Sequence, residues 1–360
     1  MADWAATFGL VFGGCCSNAL TLERVTSEYP KAGSLITFSQ FLLISLHGLP
    51  KFVSFTRGPL NFPIPHLRPR RLPFTSYLIQ VGLFYCVSLL NNLAFGYNIP
   101  MPVHIIFRSG GLVVSMLMGW LLSRKSYTIS QVLSVLIVTV GVILTTLSSN
   151  RREETASLGS PTSRYLMGIG ILTLALILSG FLGVVQDKTL ASYTAHPPVR
   201  TKPKTAGSSP SSDAAGPPDV WEESMFYLHF LALPLFFSIR HDLTVQARAL
   251  FASHARVTTF SVPRVAMQFT LPAVLPALLA NTFTQLLCTA GVNRLTTRVP
   301  ALTVTLVLVV RKAVSLVLSV VLFDGSDVTW GMLWSGAFLV FAGTVGYTVS
   351  GRTSKKDKKE

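Results

Sequence analysis

Acidic residues are scarce in this chain, 15 Asp and Glu among 360 positions, and none lies inside a long apolar run. The two acidic pairs nearest such runs, Glu222-Glu223 and Asp324/Asp327, sit at segment ends on opposite predicted sides. That disfavours an intramembrane transferase acting on a lipid-linked diphosphate, which commonly needs paired carboxylates to hold Mg²⁺ against phosphate. Cysteine is sparser still, at four. Cys15, Cys16, Cys86 and Cys288 all fall within apolar runs without metal-ligand spacing and read as reduced packing residues. Charge of either sign is only 12% of the chain against 50% hydrophobic residues, which excludes an ordinary soluble domain. No basic region precedes the first apolar run, so that run reads as a retained helix rather than a cleaved signal.

Long apolar runs are what the chain has in abundance. Ten candidates of membrane-spanning length occur near 4–22, 33–53, 75–97, 101–122, 128–147, 165–187, 222–239, 268–292, 299–323 and 328–350. The second is the weakest, because His47, Gly48 and Pro50 crowd its end, and a count of eight or nine stays open. Ten spans place both termini on one side. With both in the cytosol, 18 of the 30 Lys and Arg fall in cytosolic segments, nine in outer loops and three inside spans, as the positive-inside rule expects. Arg240, Arg248, Arg256 and Arg264 run against it. The net charge of +15 is thus a consequence of topology, and nucleic acid is not expected as a partner. The bilayer is.

The three cations inside spans are Arg108 in MPVHIIFRSGGLVVSMLMGWLL and the pair Arg311-Lys312 in ALTVTLVLVVRKAVSLVLSVVLF. Each costs roughly 3 kcal/mol at the bilayer centre, about 9 kcal/mol together. A chain that bears this cost with no acid in the same segments is expected to receive an anion. His104 and Arg108 are spaced i,i+4 on one face, with Ser109, Gly110 and Gly111 allowing close approach. Arginine suits phosphate, because its planar fork gives two parallel charge-assisted hydrogen bonds. On the ninth segment Thr303, Val307 and Arg311 form one stripe and Thr305, Leu308 and Lys312 the next, so the two cations diverge by about 100°. Asn91-Asn92, Asn281, Thr284 and Gln285, Gln186-Asp187, and Tyr227 with His229 add groups able to read a base edge or sugar, or to bond one another between helices.

Residues 196–219, rich in Pro, Ser, Ala and Gly, read as a disordered linker. Residues 243–256 read as a loop against headgroups, although Leu243, Ala247, Leu250 and Phe251 would share one face of an interfacial helix. Arg108 is followed 33 residues on by Gly141, and Arg311 is followed 32 residues on by Gly343. This echo pairs segments four and five with nine and ten. Two repeats of five spans must insert in opposite orientations, with a site at their interface. The expected fold is therefore an all-α polytopic membrane protein of ten transmembrane helices in two inverted five-helix repeats. These run over 1–147 and 148–351, with a basic tail at 352–360.

The strings GCCSNALTLE, NNLAFGYNIPMPVHIIFRSG, FY-x-H-x-L-x-LP at Phe226 to Pro234, N-x-x-TQ at Asn281 to Gln285, and LTVTLVLVVRKAVSLVLSV together resemble nucleotide-sugar transporters of the drug/metabolite transporter superfamily. The nearest branch is that of the UDP-N-acetylglucosamine and UDP-xylose transporters of the endoplasmic reticulum and Golgi. The resemblance covers nearly the whole chain apart from the linker, which is longer than the family's cytosolic loop. It implies exchange of a cytosolic UDP-sugar for lumenal UMP, no cofactor and no enzymatic step, with His104, Arg108, Ser109, Thr305, Arg311 and Lys312 lining the cavity. UDP-xylose, UDP-galactose and UDP-glucose remain alternative cargoes. Three intramembrane cations argue against an exporter of cationic drugs. Lys356 and Lys358 in the tail KKDKKE look like a dilysine retrieval signal for the endoplasmic reticulum, which would engage coat machinery, and a polybasic contact with anionic lipid is compatible with it. The oligomeric state, including a homodimer, stays open.

Overall fold

A computed structural model describes residues 2–29, 32–57, 63–68, 70–94, 110–148, 162–195, 219–252, 257–261, 268–272, 274–322 and 330–356. Helices dominate. The first is α1 (Ala2–Gly9), which continues through a π turn at Leu10–Gly14 into α2 (Cys15–Glu28). There follow α3 (Gly33–Phe52), α4 (Phe74–Ala94), α5 (Gly111–Ser123), α6 (Ile129–Ser148), α7 (Thr162–Ala195) and α8 (Val220–Ala232). The last four are α9 (Arg240–Ala252), α10 (Val274–Thr296), α11 (Ala301–Leu322) and α12 (Trp330–Lys356). Among the described residues, five stretches are long and apolar enough to cross a bilayer: Asp3–Thr26, Phe74–Asn91, Leu166–Ala191, Val274–Thr296 and Trp330–Ser350. Gly111–Ser123 and Ile129–Thr145 are apolar but shorter.

Three expectations change. The chain is not all-α: Val53–Arg57 (β1) pairs antiparallel with Pro63–Leu67 (β2), and Val257–Ser261 (β3) with Gln268–Pro272 (β4). The eighth apolar run therefore begins as a strand, and its helix starts only at Val274, with Pro276 in the first turn where proline costs little. The seventh run does not end at Ile239. It passes from α8 into a 3₁₀ stretch over Leu233–Ile239, where Pro234 lacks the N–H that an α-helix would need, and α9 continues from Arg240. The segment read as a surface loop is thus helical to Ala252, anchored by Leu250, which is buried with Val25, Ala32 and Ile36. The tether at 196–218 lies outside the described residues.

The chain forms two compact units, Met1–Leu78 with Leu190–Arg298, and Ile79–Thr189 with Val299–Glu360. In the first unit, the π turn before α2 lies so close to α10 that a Cβ on Gly14 would come 2.8 Å from the Cys288 nitrogen, and one on Gly291 would come 2.8 Å from that of Val11. At this crossing Cys15 and Cys288 form a disulfide, their Cα atoms 4.4 Å apart, which corrects the reading of both as reduced. Cys16 and Cys86 are not disulfide-bonded. An aromatic cluster of Phe52, Tyr77, Phe226 and Tyr227 packs in the same unit.

The second unit is built on α6 against α12. A Cβ on Gly141 would lie 2.7 Å from Gly336 O and 2.8 Å from the Val340 nitrogen. One on Gly343 would lie 2.8 Å from Ser134 O and 3.1 Å from the Val138 nitrogen. The two sets of neighbours are related by one shift: Gly343, Gly336 and Val340 each lie 202 positions after Gly141, Ser134 and Val138. Ser130 bonds Ser350 at 2.6 Å, so contacts run in opposite senses along the two helices, which are antiparallel. Lipid tails are as apolar as leucine, so such backbone proximity, rather than hydrophobic transfer, supplies the attraction between spans.

Candidate functional site

The ninth segment forms α11 as expected, and its N-terminus is fixed by a residue of α7. Asp187 Oδ1 accepts the Ala301 N–H at 2.7 Å, and its Oδ2 meets Lys125 Nζ at 2.7 Å. An acid at a helix N-terminus satisfies an orphan donor and meets the positive end of the dipole. Nearby, burial first, then Tyr347 and Asp187, pushes the Tyr127 phenol up to about 12, so it stays a neutral donor. Asp187→Ala is expected to lower the melting temperature in detergent by the equivalent of about 1–2 kcal/mol, against less than about 1 for Lys125→Ala. Equal melting of Asp187→Ala and the parent would refute the capping role.

From that anchor Leu302, Leu306, Val309 and Ala313 turn into the unit's core with Leu112, Val135, Val138, Val142 and Val340. At 100° per residue, Arg311 projects on the opposite side of α11 from this face, and Lys312 lies between. Arg311 is half-buried and Lys312 exposed, so the divergence expected from their adjacency has unequal results. Thr305 is half-buried and bonds Ala301 O at 2.9 Å within its own helix. Gly110 is half-buried at the start of α5, Asn91 donates to Val87 O at 2.8 Å, and Gln186 is half-buried on α7. His104, Arg108 and Ser109 lie outside the described residues, as do the Asn92 and Lys356 side chains and all of Lys358.

The first unit gathers the amides. Gln40 Nε2 donates to Asn281 Oδ1 at 2.7 Å, Asn281 Nδ2 donates to Asn18 Oδ1 at 2.9 Å, and Asn18 Nδ2 donates to Gln285 Oε1 at 2.7 Å. Thr21 and Thr284 close the ladder, 3.3 Å apart. Asn281 is fully buried within it, and Gln285 is half-buried at its end. Asn18 and Gln40 were not singled out from the sequence as site residues. The available signal was an amide in each of two apolar helices, which hydropathy averaging hides.

Tyr227 and His229 are placed in packing positions. Tyr227 stacks on Tyr77 at 5.1 Å and is buried, its hydroxyl without a hydrogen-bond partner among the described residues. His229 Nδ1 lies 2.7 Å from Met225 O and must carry the proton, since a carbonyl only accepts, and its ring meets the Phe41 ring at 4.7 Å. The chief acid of this unit is Glu223, 3% exposed. It accepts the N–H groups of Arg71 (3.0 Å) and Leu72 (3.1 Å) and the Tyr77 hydroxyl (3.1 Å). Asp3 meanwhile pairs with Arg294 and Arg298, whose guanidiniums face the Trp221 and Trp4 rings. No group of three or more His, Cys, Asp or Glu able to hold a metal ion occurs among the described residues.

Helices with polar groups concentrated at a few internal positions suit the passage of a polar solute, and comparison with known proteins decides the matter. The model of the UAA transporter family matches residues 4–198 and 216–351. The chain belongs to the UAA transporter family. It is 35% identical to the UDP-N-acetylglucosamine transporter YEA4 of Saccharomyces cerevisiae, across 95% of this chain and 93% of that protein. It is 32% identical to the UDP-xylose and UDP-N-acetylglucosamine transporter of Danio rerio, across 94% and 92%. Identity to the endoplasmic reticulum GDP-fucose transporter of Drosophila melanogaster is 36%, across 93% and 87%. Between its two matched stretches the family model leaves 199–215 unmatched, an interval within the Pro- and Ser-rich segment. As a UAA family member the chain is a membrane transporter and not an enzyme.

Proposed function

We propose that this transporter exchanges a cytosolic UDP-sugar, foremost UDP-N-acetylglucosamine, for lumenal UMP by alternating access in the endoplasmic reticulum membrane, with both termini cytosolic. The observation that carries the reading is the near full-length identity to relatives named for UDP-N-acetylglucosamine, together with Arg311-Lys312 as the only charges of α11. Both cargoes are phosphate anions, and Arg108 with one of the α11 pair is suited to bind them. His104, Ser109, Gly110 and Thr305 complete the phosphate side in this reading, and Asn91, Asn92, Gln186 and Gln285 the base and sugar side, with Asn281, Tyr227 and His229 packed behind. Either anion offsets the site's charge, so a loaded carrier turns readily and an empty one does not, which makes exchange obligatory.

Ten spans in two inverted repeats, over 1–147 and 148–351, supply the architecture for that motion. The antiparallel α6–α12 contact, with the neighbours of Gly141 repeated around Gly343, supports the repeat. Golgi residence is the alternative location, and the tail lysines would act through coat machinery.

Cargo choice is read by counterflow. Purified protein in liposomes preloaded with UMP is given labelled UDP-N-acetylglucosamine, UDP-xylose, UDP-galactose, UDP-glucose and GDP-fucose. Accumulation of UDP-N-acetylglucosamine beyond equilibrium, dependent on internal UMP, is expected. The Drosophila relative's name favours GDP-fucose as a second reading, and uptake of that sugar against internal GMP, without UMP-driven uptake of any UDP-sugar, would replace the first.

A further inference from the structure

We propose that Gln285 presents an N–H donor that reads a carbonyl oxygen of the substrate, and that Asn18 is the positioning residue that fixes this polarity. The inference rests on the nucleotide-sugar reading above and assigns one contact within it. Side-chain amides are ambiguous when considered alone, because their oxygen and nitrogen ends are nearly alike. Here the ambiguity is removed at one point and the solution propagates along the ladder.

That point is the main-chain oxygen of Asn18, which lies 3.1 Å from Asn281 Nδ2. A peptide carbonyl only accepts, so the Asn281 amide must turn its NH₂ end toward α2. Its Oδ1 therefore faces Gln40 Nε2 at 2.7 Å. The same NH₂ group reaches Asn18 Oδ1 at 2.9 Å, which assigns that end of Asn18 as an acceptor. Thr284 Oγ1 approaches the same oxygen at 3.5 Å. Asn18 is left with its NH₂ end toward Gln285, and the atom it meets at 2.7 Å must be the Gln285 oxygen. Gln285 then has one end committed. Its Nε2, carrying two N–H groups, has no partner among the described residues, on a side chain only half-buried at the ladder's end.

The consequence is a division of labour within N-x-x-TQ. Asn281, fully buried and bonded to Gln40 on α3 and to Asn18 and Thr21 on α2, holds the ladder together. Gln285 projects a donor. Donors recognise acceptors, and the carbonyl oxygens of a UDP-N-acetylhexosamine lie on the uracil ring and the acetamido group. The two sources share one chemistry and separate by experiment: CMP replaces a uracil carbonyl by an amino group, and UDP-glucose lacks the acetamido carbonyl.

The test inverts the polarity. In Asn18→Asp both side-chain oxygens accept, so Gln285 must turn its Nε2 toward position 18 and present Oε1 instead. Exchange of UMP, CMP, UDP-N-acetylglucosamine and UDP-glucose is measured in proteoliposomes for the parent, Asn18→Asp and Gln285→Leu, at pH 8. Ratios of kcat/KM are compared, so that a general loss of active protein cancels. If the base is read, Asn18→Asp shifts the UMP/CMP ratio toward CMP by about tenfold and Gln285→Leu brings it toward unity. If the acetamido group is read, the UDP-N-acetylglucosamine/UDP-glucose ratio falls about as far and the UMP/CMP ratio stays. Both ratios unchanged in both variants, with the parent exchanging normally, overturns the inference and leaves the transport reading standing. A parent that exchanges no uridine nucleotide overturns that reading, and this inference with it.

Discussion

Arg311→Ala is expected to abolish UDP-N-acetylglucosamine/UMP exchange in proteoliposomes while the protein still purifies as a folded species. Truncating one partner of a buried, hydrogen-bonded charge pair costs about 2–5 kcal/mol, which is a loss of roughly thirtyfold to several thousandfold in transport efficiency if the partner is substrate phosphate. Folding should survive because Arg311 is on the side of α11 opposite Leu302, Leu306, Val309 and Ala313, which carry the contacts to the unit's core. Arg311→Lys keeps the charge and loses the fork, so partial activity with a raised KM is the expected result. Lys312→Ala separates the members of the pair. Lys312 is exposed where Arg311 is half-buried, and truncating the more exposed side chain removes less, so Lys312→Ala should retain more activity. Unchanged exchange in Arg311→Ala would remove arginine from the phosphate site, and loss confined to Lys312→Ala would transfer the role to its neighbour.

The helical course of the chain was legible because long apolar runs have few alternatives in a bilayer. The ends of α3, α6 and α11 fall close to where the runs at 33–53, 128–147 and 299–323 ended. Gly141 and Gly343 were legible as an echo, and they meet equivalent backbone atoms across the α6–α12 crossing. Legibility failed where short segments depend on partners distant in the chain. β1 and β2 carry two prolines and a His within their ten residues, a composition that suggests coil until the backbone pairing is seen. α9 reads as polar loop because its helical face is completed by Val25 and Ile36, more than 200 positions away. The Cys15–Cys288 bond spans 273 positions and leaves no local spacing to recognise. The amides of Asn18 and Gln40 were hidden in the same way. Each is one polar residue in a hydrophobic window, and its meaning lies in the ladder to Asn281 and Gln285.

Glu223 gives the largest stability effect. Its carboxylate, 3% exposed, is the common acceptor for the N–H groups of Arg71 and Leu72 and for the Tyr77 hydroxyl. Glu223→Ala leaves three donors without an acceptor in a region too buried for water to replace it. Each orphaned group costs about 1–3 kcal/mol, so a loss of at least about 3 kcal/mol is expected, read as a large fall in melting temperature. Tyr77→Phe removes one donor together with its demand, and alone should cost about 1 kcal/mol. In the double variant Tyr77 no longer has an unsatisfied hydroxyl, so the double variant should melt at or above Glu223→Ala, and this non-additivity identifies the bond. Trypsin supplies a local readout. Arg68, Arg70 and Arg71 lie on the segment that Glu223 ties to α8, and Arg70 is further held over the Phe74 ring at 4.7 Å. Release of that segment in Glu223→Ala should speed cleavage there ahead of global unfolding, whereas Lys51→Ala, which removes only the partly exposed pair with Glu222, should leave the cleavage rate near that of the parent. Equal cleavage and equal melting in Glu223→Ala would mean that the segment is held by the aromatic cluster alone.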